Sequence, residues 1–163
     1  MTKKLLEIAG IGENRLYLYW CSSAEAQRFA EIATTVTEAV RKAGKFDPKQ
    51  YELELAAAEA TLSGEVLRWM VGKEHKITTK GDVYGRPWDT DSFEKALDTT
   101  LEREYQKNLI LQAVKAGATA PRTIRDKIGL DLKRISYMLA DMEKTSMVEF
   151  TGMEDGIPVF AAL

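Results

Sequence analysis

The sequence predicts a mostly helical α+β chain, with an N-terminal helix-strand-helix and helical segment followed by a C-terminal winged helix-turn-helix. Three observations carry this expectation. Apolar residues recur at helical spacing over long stretches, as in Phe29, Ile32, Val36 and Val40. Glycines and capping residues punctuate those stretches. The last 47 residues run through two short helical patterns into two β-rich stretches around a turn. A chain of 163 residues with 45% apolar and 29% charged residues can bury one sizeable core or two small ones.

Taken in order, KKLLEIAG reads as a short helix closed by Gly10, and IGENR as a turn. Leu16 to Trp20, in RLYLYW, read as a strand, because aromatic and leucine residues suit a half-buried sheet surface. Ser22 and Glu25 form an S-x-x-E capping box ahead of a helix that Gly44 stops. Asp47 is an N-cap with Pro48 at the first helical position, and that helix continues to about Leu62. The Ser63–Gly64 break starts another, SGEVLRWMVGKEHKI. From Thr78 to Thr90, two glycines and a proline predict an ordered loop pinned by Tyr84 and Trp88. A long helix capped at Asp91 then runs to Gly117.

The remainder predicts the winged helix. APRTIRDKIG is a short helix, and LDLKRISYMLADMEKT is a second, with Asp131 as N-cap and Leu132, Ile135, Leu139 and Met142 facing inward. VEF and PVFAAL form a hairpin around TGMEDGI. These elements divide the chain into residues 1–90, the helix-strand-helix and helical segment, and residues 91–163, the winged-helix-like domain led in by its long helix.

Residues 3 to 44, with their helix KKLLEIAGIG, strand RLYLYW and helix AEAQRFAEIATTVTEAVRKAG, resemble the C-terminal part of a known family. That family is the delta (iron–sulfur) subunit of the methyl-viologen-reducing hydrogenase, which links hydrogenase to heterodisulfide reductase. The resemblance covers about a quarter of the chain. It implies an oxidoreductase complex as the setting and a heterodisulfide-reductase-like or hydrogenase subunit as the partner. It also implies that the cysteines holding a [2Fe–2S] cluster belong to a portion upstream, which this chain does not contain. No cofactor is therefore expected in this chain, and an iron–sulfur cluster only in that missing portion.

The residues themselves agree. One cysteine, Cys21, and one histidine, His75, fall short of the three or four ligands that zinc or an iron–sulfur cluster needs. Cys21 lies at the strand-to-helix joint. A thiol at a helix start feels the positive end of the helix dipole, which is how catalytic and redox cysteines become reactive. The expected role is nevertheless a small residue packing the joint, with a functional thiol as the alternative. His75 reads as a solvated helix-end residue. Glu52, Glu54 and Glu59 fall on the polar side of an alanine-rich helix, and Gly10 and Gly12 follow a helix and lack the rest of a phosphate-loop fingerprint. No catalytic residue set emerges, and the chain is expected to have no catalysis of its own.

The winged helix supplies the rival function, a DNA-binding transcriptional regulator. Lys133, Arg134, Ser136 and Tyr137 would project from the first turns of a recognition helix, with Arg122 and Arg125 near phosphates. Residues 117 to 163, however, hold six Lys/Arg against seven Asp/Glu, and Glu154 and Asp155 sit at the wing tip. Asp141 is expected to interrupt the outer face of the recognition helix. With a net charge of -2, nothing attracts nucleic acid as a whole. The favoured expectation is a non-catalytic accessory or interaction component of a hydrogenase/heterodisulfide-reductase type electron-transfer complex. No apolar run is long enough for a membrane span and no secretory signal is evident, so a cytoplasmic location is expected. The strand at 16–20, lacking a neighbour, is expected to pair with a partner chain or with its own copy in a homodimer.

Overall fold

The computed structural model describes residues 1–12 and 15–163. Seven α-helices precede a two-stranded antiparallel sheet among the described residues: α1 Thr2–Ile8, α2 Ala26–Ala43, α3 Glu52–Ser63, α4 Glu65–Thr79, α5 Thr90–Lys115, α6 Pro121–Ile128 and α7 Leu132–Lys144, then β1 Val148–Glu154 and β2 Ile157–Ala162. The expected turn IGENR includes Glu13 and Asn14, which lie outside the described residues.

The helix boundaries follow from local chemistry. Asp47 accepts the N–H of Lys49 at 3.1 Å and opens a 3-10 turn at Pro48–Tyr51 that leads into α3. Asp89, two positions before the expected Asp91, caps α5. Its carboxylate accepts the Ser92 N–H at 2.8 Å and the Ser92 hydroxyl at 2.7 Å, and the latter bond is the largest influence holding its carboxyl below the usual range. Ser92 stands at the third helical position from Asp89, where an N-cap oxygen finds its N–H. Asp131 caps α7 as expected, accepting the Arg134 N–H at 3.0 Å. Gly129 ends α6 in the left-handed conformation, at φ 72°.

Two apolar clusters form, and α5 contributes to both. Leu101, Tyr105 and Leu109 pack with Leu5 and Ala9 beside α1 and α1's end, Ala57 and Ala58 of α3, and Leu67 of α4. Ile110, Ala113 and Val114 pack with Ile124 of α6, Ile135, Met138, Leu139 and Met142 of α7, and Val148 of β1. The inward set expected for α7 is therefore seen at Ile135, Leu139 and Met142, with Leu132 half-buried and Met138 added. Thr61 on α3 is buried yet satisfied: its hydroxyl donates to the Ala57 carbonyl at 2.6 Å and accepts from Asn108 of α5 at 3.0 Å.

The hairpin turns tighter than expected. Glu154 pairs with Ile157, leaving Asp155 and Gly156 as the whole loop, both at positive φ, which suits the right-handed twist of the flanking strands. Thr151 is an extra residue between the pairs Phe150–Phe160 and Gly152–Val159, a β-bulge that lets β1 continue past Phe150. The Phe160 N–H donates to the Thr119 carbonyl at 2.9 Å and ties the hairpin to the connection before α6.

The expected strand at 16–20 is not formed, and no strand occurs among the described residues between α1 and α2. Arg15 explains the conformation. Its guanidinium donates to the carbonyls of Gly44 at 2.8 Å and Ala43 at 3.1 Å, at the far end of α2. The chain must then return to the start of α2 at Ala26. An 18-residue helix is about 27 Å long, and the ten residues from Arg15 to Glu25 reach at most about 36 Å. The segment therefore runs from one end of the helix back to the other, and no strand forms within it.

Stability should divide accordingly. Leu101→Ala, at a fully buried position, is expected to cost about 2–5 kcal/mol. Phe29→Ala, on a helix with no buried residue, should change the urea midpoint by less than about 0.5 kcal/mol equivalent. Equal losses in urea titrations would mean that α2 belongs to the core.

Candidate functional site

Three surfaces bear on function. The first is α2 with its strap. Phe29, Ile32, Val36 and Val40 form an apolar stripe at helical spacing, yet none is buried, and Phe29 is 66% exposed. The strap before it presents Leu18, Tyr19 and Trp20, with Trp20 80% exposed. Among the described residues the assembly is fixed at one end: the Arg15 guanidinium, besides closing the C-terminus of α2, lies 5.4 Å from the centre of the Phe46 ring, and Phe46 stacks on Tyr51 at 5.5 Å. Both rings pack against the cluster of α1 and α3. At the other end the capping-box pair is only half used. Glu25 accepts the Ser22 N–H at 2.8 Å, while α2 begins at Ala26 with Glu25 itself as N-cap.

Cys21 sits in this strap, exposed and free, with its Sγ donating to the Ser22 carbonyl at 3.4 Å and the Glu25 carbonyl at 3.5 Å. It does not pack a joint, since the strand that would have made one is absent. His75 is exposed on α4, within a turn of the helix end. No group of three or more His, Cys, Asp or Glu capable of holding a metal occurs among the described residues. One thiol does not fit an iron–sulfur cluster, whose iron atoms take four protein ligands, mostly thiolates.

The second surface is α6 and α7, where the structure separates the sequence-predicted contacts. Lys133 and Tyr137 face solvent together, with the ammonium 6.0 Å from the ring centre, and Ser136 beside them donates to the Leu132 carbonyl. Arg122 is exposed on α6. Arg125 is engaged by the neighbouring Asp126 at 2.6 Å. Arg134 turns away from the others, its Nε donating to Gln106 of α5 at 2.9 Å. Asp141 lies on that same inner seam instead of interrupting the outer face. It accepts from Arg103 at 2.7 Å and sits 3.8 Å from the mostly buried Lys107, whose ammonium is also 3.7 Å from Glu104. Positions 134, 138 and 141 share one face of α7, and Met138 at its middle is buried, so its polar neighbours meet α5 as well.

The third surface was not singled out by the sequence. A concavity between α4, the loop 80–89 and the start of α5 is lined by Trp69 and Trp88, both of which remain partly exposed. Tyr84, expected to pin that loop, is itself exposed; Asp82 does the pinning. Single tryptophans in separate elements gave no periodic signal that they converge.

The class of protein so defined is a mostly helical one with a small C-terminal sheet, which keeps one amphipathic helix outside its core. The family model described as methyl-viologen-reducing hydrogenase, delta subunit, matches residues 1–44, the segment that ends with that helix and its Gly44 stop. This relates the N-terminal segment to a hydrogenase subunit and an oxidoreductase setting. No curated protein and no solved structure matches the chain. No helix among the described residues is long and apolar enough to cross a membrane.

Two outcomes check this description. Cys21 should react stoichiometrically with a maleimide in the folded protein, at the rate seen in denaturant to within about tenfold, whereas a packed thiol would be protected. Asp141 concerns acid stability. The Arg103 hydrogen bond holds its carboxyl below the usual range, so its stabilisation is complete above about pH 4 and is lost as pH falls through the depressed native value. Asp141→Asn should therefore flatten the acid limb of a melting-temperature profile and leave its alkaline side unchanged.

Proposed function

We propose that this protein is a non-catalytic accessory component of a hydrogenase/heterodisulfide-reductase type electron-transfer complex, acting in the cytoplasm and docking through residues 15–44. The carrying observation is the coincidence of two things: the segment related to the hydrogenase delta subunit is the one that holds an amphipathic helix with no buried residue. An isolated helix of this length is marginal in water, and an apolar stripe of this kind is ordinarily covered. The partner class is a hydrogenase or heterodisulfide-reductase-like subunit, and self-association through the same face is the simpler form of the same contact. On this reading residues 1–90 carry the docking segment, and residues 91–163 form a winged-helix module attached through α5.

A second reading, a winged-helix DNA-binding regulator, rests on the exposed Lys133, Ser136, Tyr137 and Arg122. Such a module would neutralise few phosphates, so its affinity for random duplex should be weak at physiological salt.

Affinity purification of the tagged full chain from its own cells should recover hydrogenase or heterodisulfide-reductase subunits. Phe29→Asp with Val40→Asp should lose them, while the circular dichroism of the rest of the chain persists. Recovery unaffected by that pair would remove α2 as the docking element. Duplex binding tighter than about micromolar at 150 mM salt, abolished by Lys133→Ala with Tyr137→Ala, would establish the regulator instead.

A further inference from the structure

The concavity between α4 and α5 has a volume of about 460 Å³, within the range of about 300–1,000 Å³ typical of small-molecule sites. Phe93, only 2% exposed, closes its base, while Trp69, Val83 and Trp88 stand around it with much of their apolar surface in water. Val83 is 92% exposed. Met70 and Ile77 of α4 line it too, and an unbranched thioether adapts to varied apolar shapes.

Two cations complete the lining. Trp69, Lys73 and Lys76 follow one another at i, i+4 and i+7 on α4, so both ammonium groups stand on the face that carries the indole. No ion pair engages either lysine among the described residues. The carboxylate in the lining, Asp82, is already satisfied. It accepts the N–H groups of Tyr84 at 2.8 Å and Arg86 at 3.1 Å, and pairs with the Arg86 guanidinium at 3.3 Å. Both ammonium groups are exposed beside the apolar wall, with no carboxylate paired to them among the described residues.

The path of the loop is set by its backbone. Gly81 has φ +94°, and a Cβ there would stand 2.7 Å from the Gly85 carbonyl carbon, so the chain doubles back with no room for a side chain. The Asp82 N–H donates to the Arg86 carbonyl at 2.9 Å, and the Trp88 N–H to the Ile77 carbonyl of α4 at 3.2 Å. These bonds hold Val83 and Trp88 at the rim.

We propose that this concavity binds a small amphipathic anion, an apolar body bearing one carboxylate-type head. The body lies against Trp69, Trp88 and Phe93, and the head meets Lys73 and Lys76. An apolar wall with a few convergent polar groups is the usual division of labour in such sites, the wall supplying affinity and the charges orientation. The site lies apart from the docking segment at residues 15–44 and does not depend on it.

Titration calorimetry of the full chain with sodium decanoate and with decanol tests the assignment. Decanoate should bind one to one and quench tryptophan emission, with decanol weaker by about tenfold or more. Lys73→Glu with Lys76→Glu should erase that preference, and Ala96→Phe, which fills the concavity, should abolish binding of both. Should Ala96→Phe fail to fold, Trp69→Ala serves as the second variant, with an expected loss of about tenfold. Equal binding of decanol and decanoate, decanoate affinity unchanged in the lysine variant, or no binding at millimolar decanoate would overturn the proposal. Sedimentation with phosphatidylglycerol vesicles separates a free anion from a lipid surface. The chain should stay in solution, and co-sedimentation that the lysine variant loses would assign these residues to a membrane surface and overturn it as well.

Discussion

One helix has to satisfy two apolar clusters, and the rest of the structure is arranged around that requirement. On α5, Leu101, Tyr105 and Leu109 form one stripe and Ile110, Ala113 and Val114 another, separated by about 130° at 100° per residue. The apolar surface therefore shifts around the helix from its middle to its end. Elements that precede α5 collect on the first stripe, and those that follow it collect on the second. Between the two faces, polar groups meet only where they are paired, as with Lys107 beside Glu104 and Asp141 and Asn108 on Thr61. No buried side-chain nitrogen or oxygen among the described residues lacks a partner, as expected when every unpaired group would cost its full desolvation.

Much of this was legible in local sequence, because caps and periodicity are local. Asp47, Asp131, Gly44 and the Ser63–Gly64 break act where their chemistry says they should. Asp91 was the wrong aspartate because both Asp89 and Asp91 can cap, and the choice fell to Ser92, which gives Asp89 two bonds. The hairpin was visible from its β-rich halves, while its bulge at Thr151 depends on pairing across the strands.

What the sequence could not supply was partnership. RLYLYW has the composition of a strand, yet a strand exists only through its neighbour, and here the segment spends its length reaching from one end of α2 to the other. Arg134 and Asp141 look like surface residues of a recognition helix until α5 is placed beside them, whereupon Gln106 and Arg103 claim them. The α4–α5 concavity shows the same limitation from another side: Trp69, Lys73 and Lys76 are spaced as one helix face, but Trp88 joins them only through a loop whose path Gly81 and Asp82 determine.

Among the described residues α2 is attached to the body at its C-terminal end, through Arg15 and Phe46. Neither cluster contains a residue of that helix, so the packing of the body does not depend on it, and a partner covering the stripe as proposed would not need to disturb that packing. The converse holds for a copy left without a partner. Cleavage in native proteins follows the segments that open at low cost, and here that is a helix with no buried side chain, carrying Arg28, Arg41 and Lys42. If α2 docks as proposed, an unassembled copy offers proteases a handle that assembly would hide, and the lifetime of the protein would record whether it has found its place.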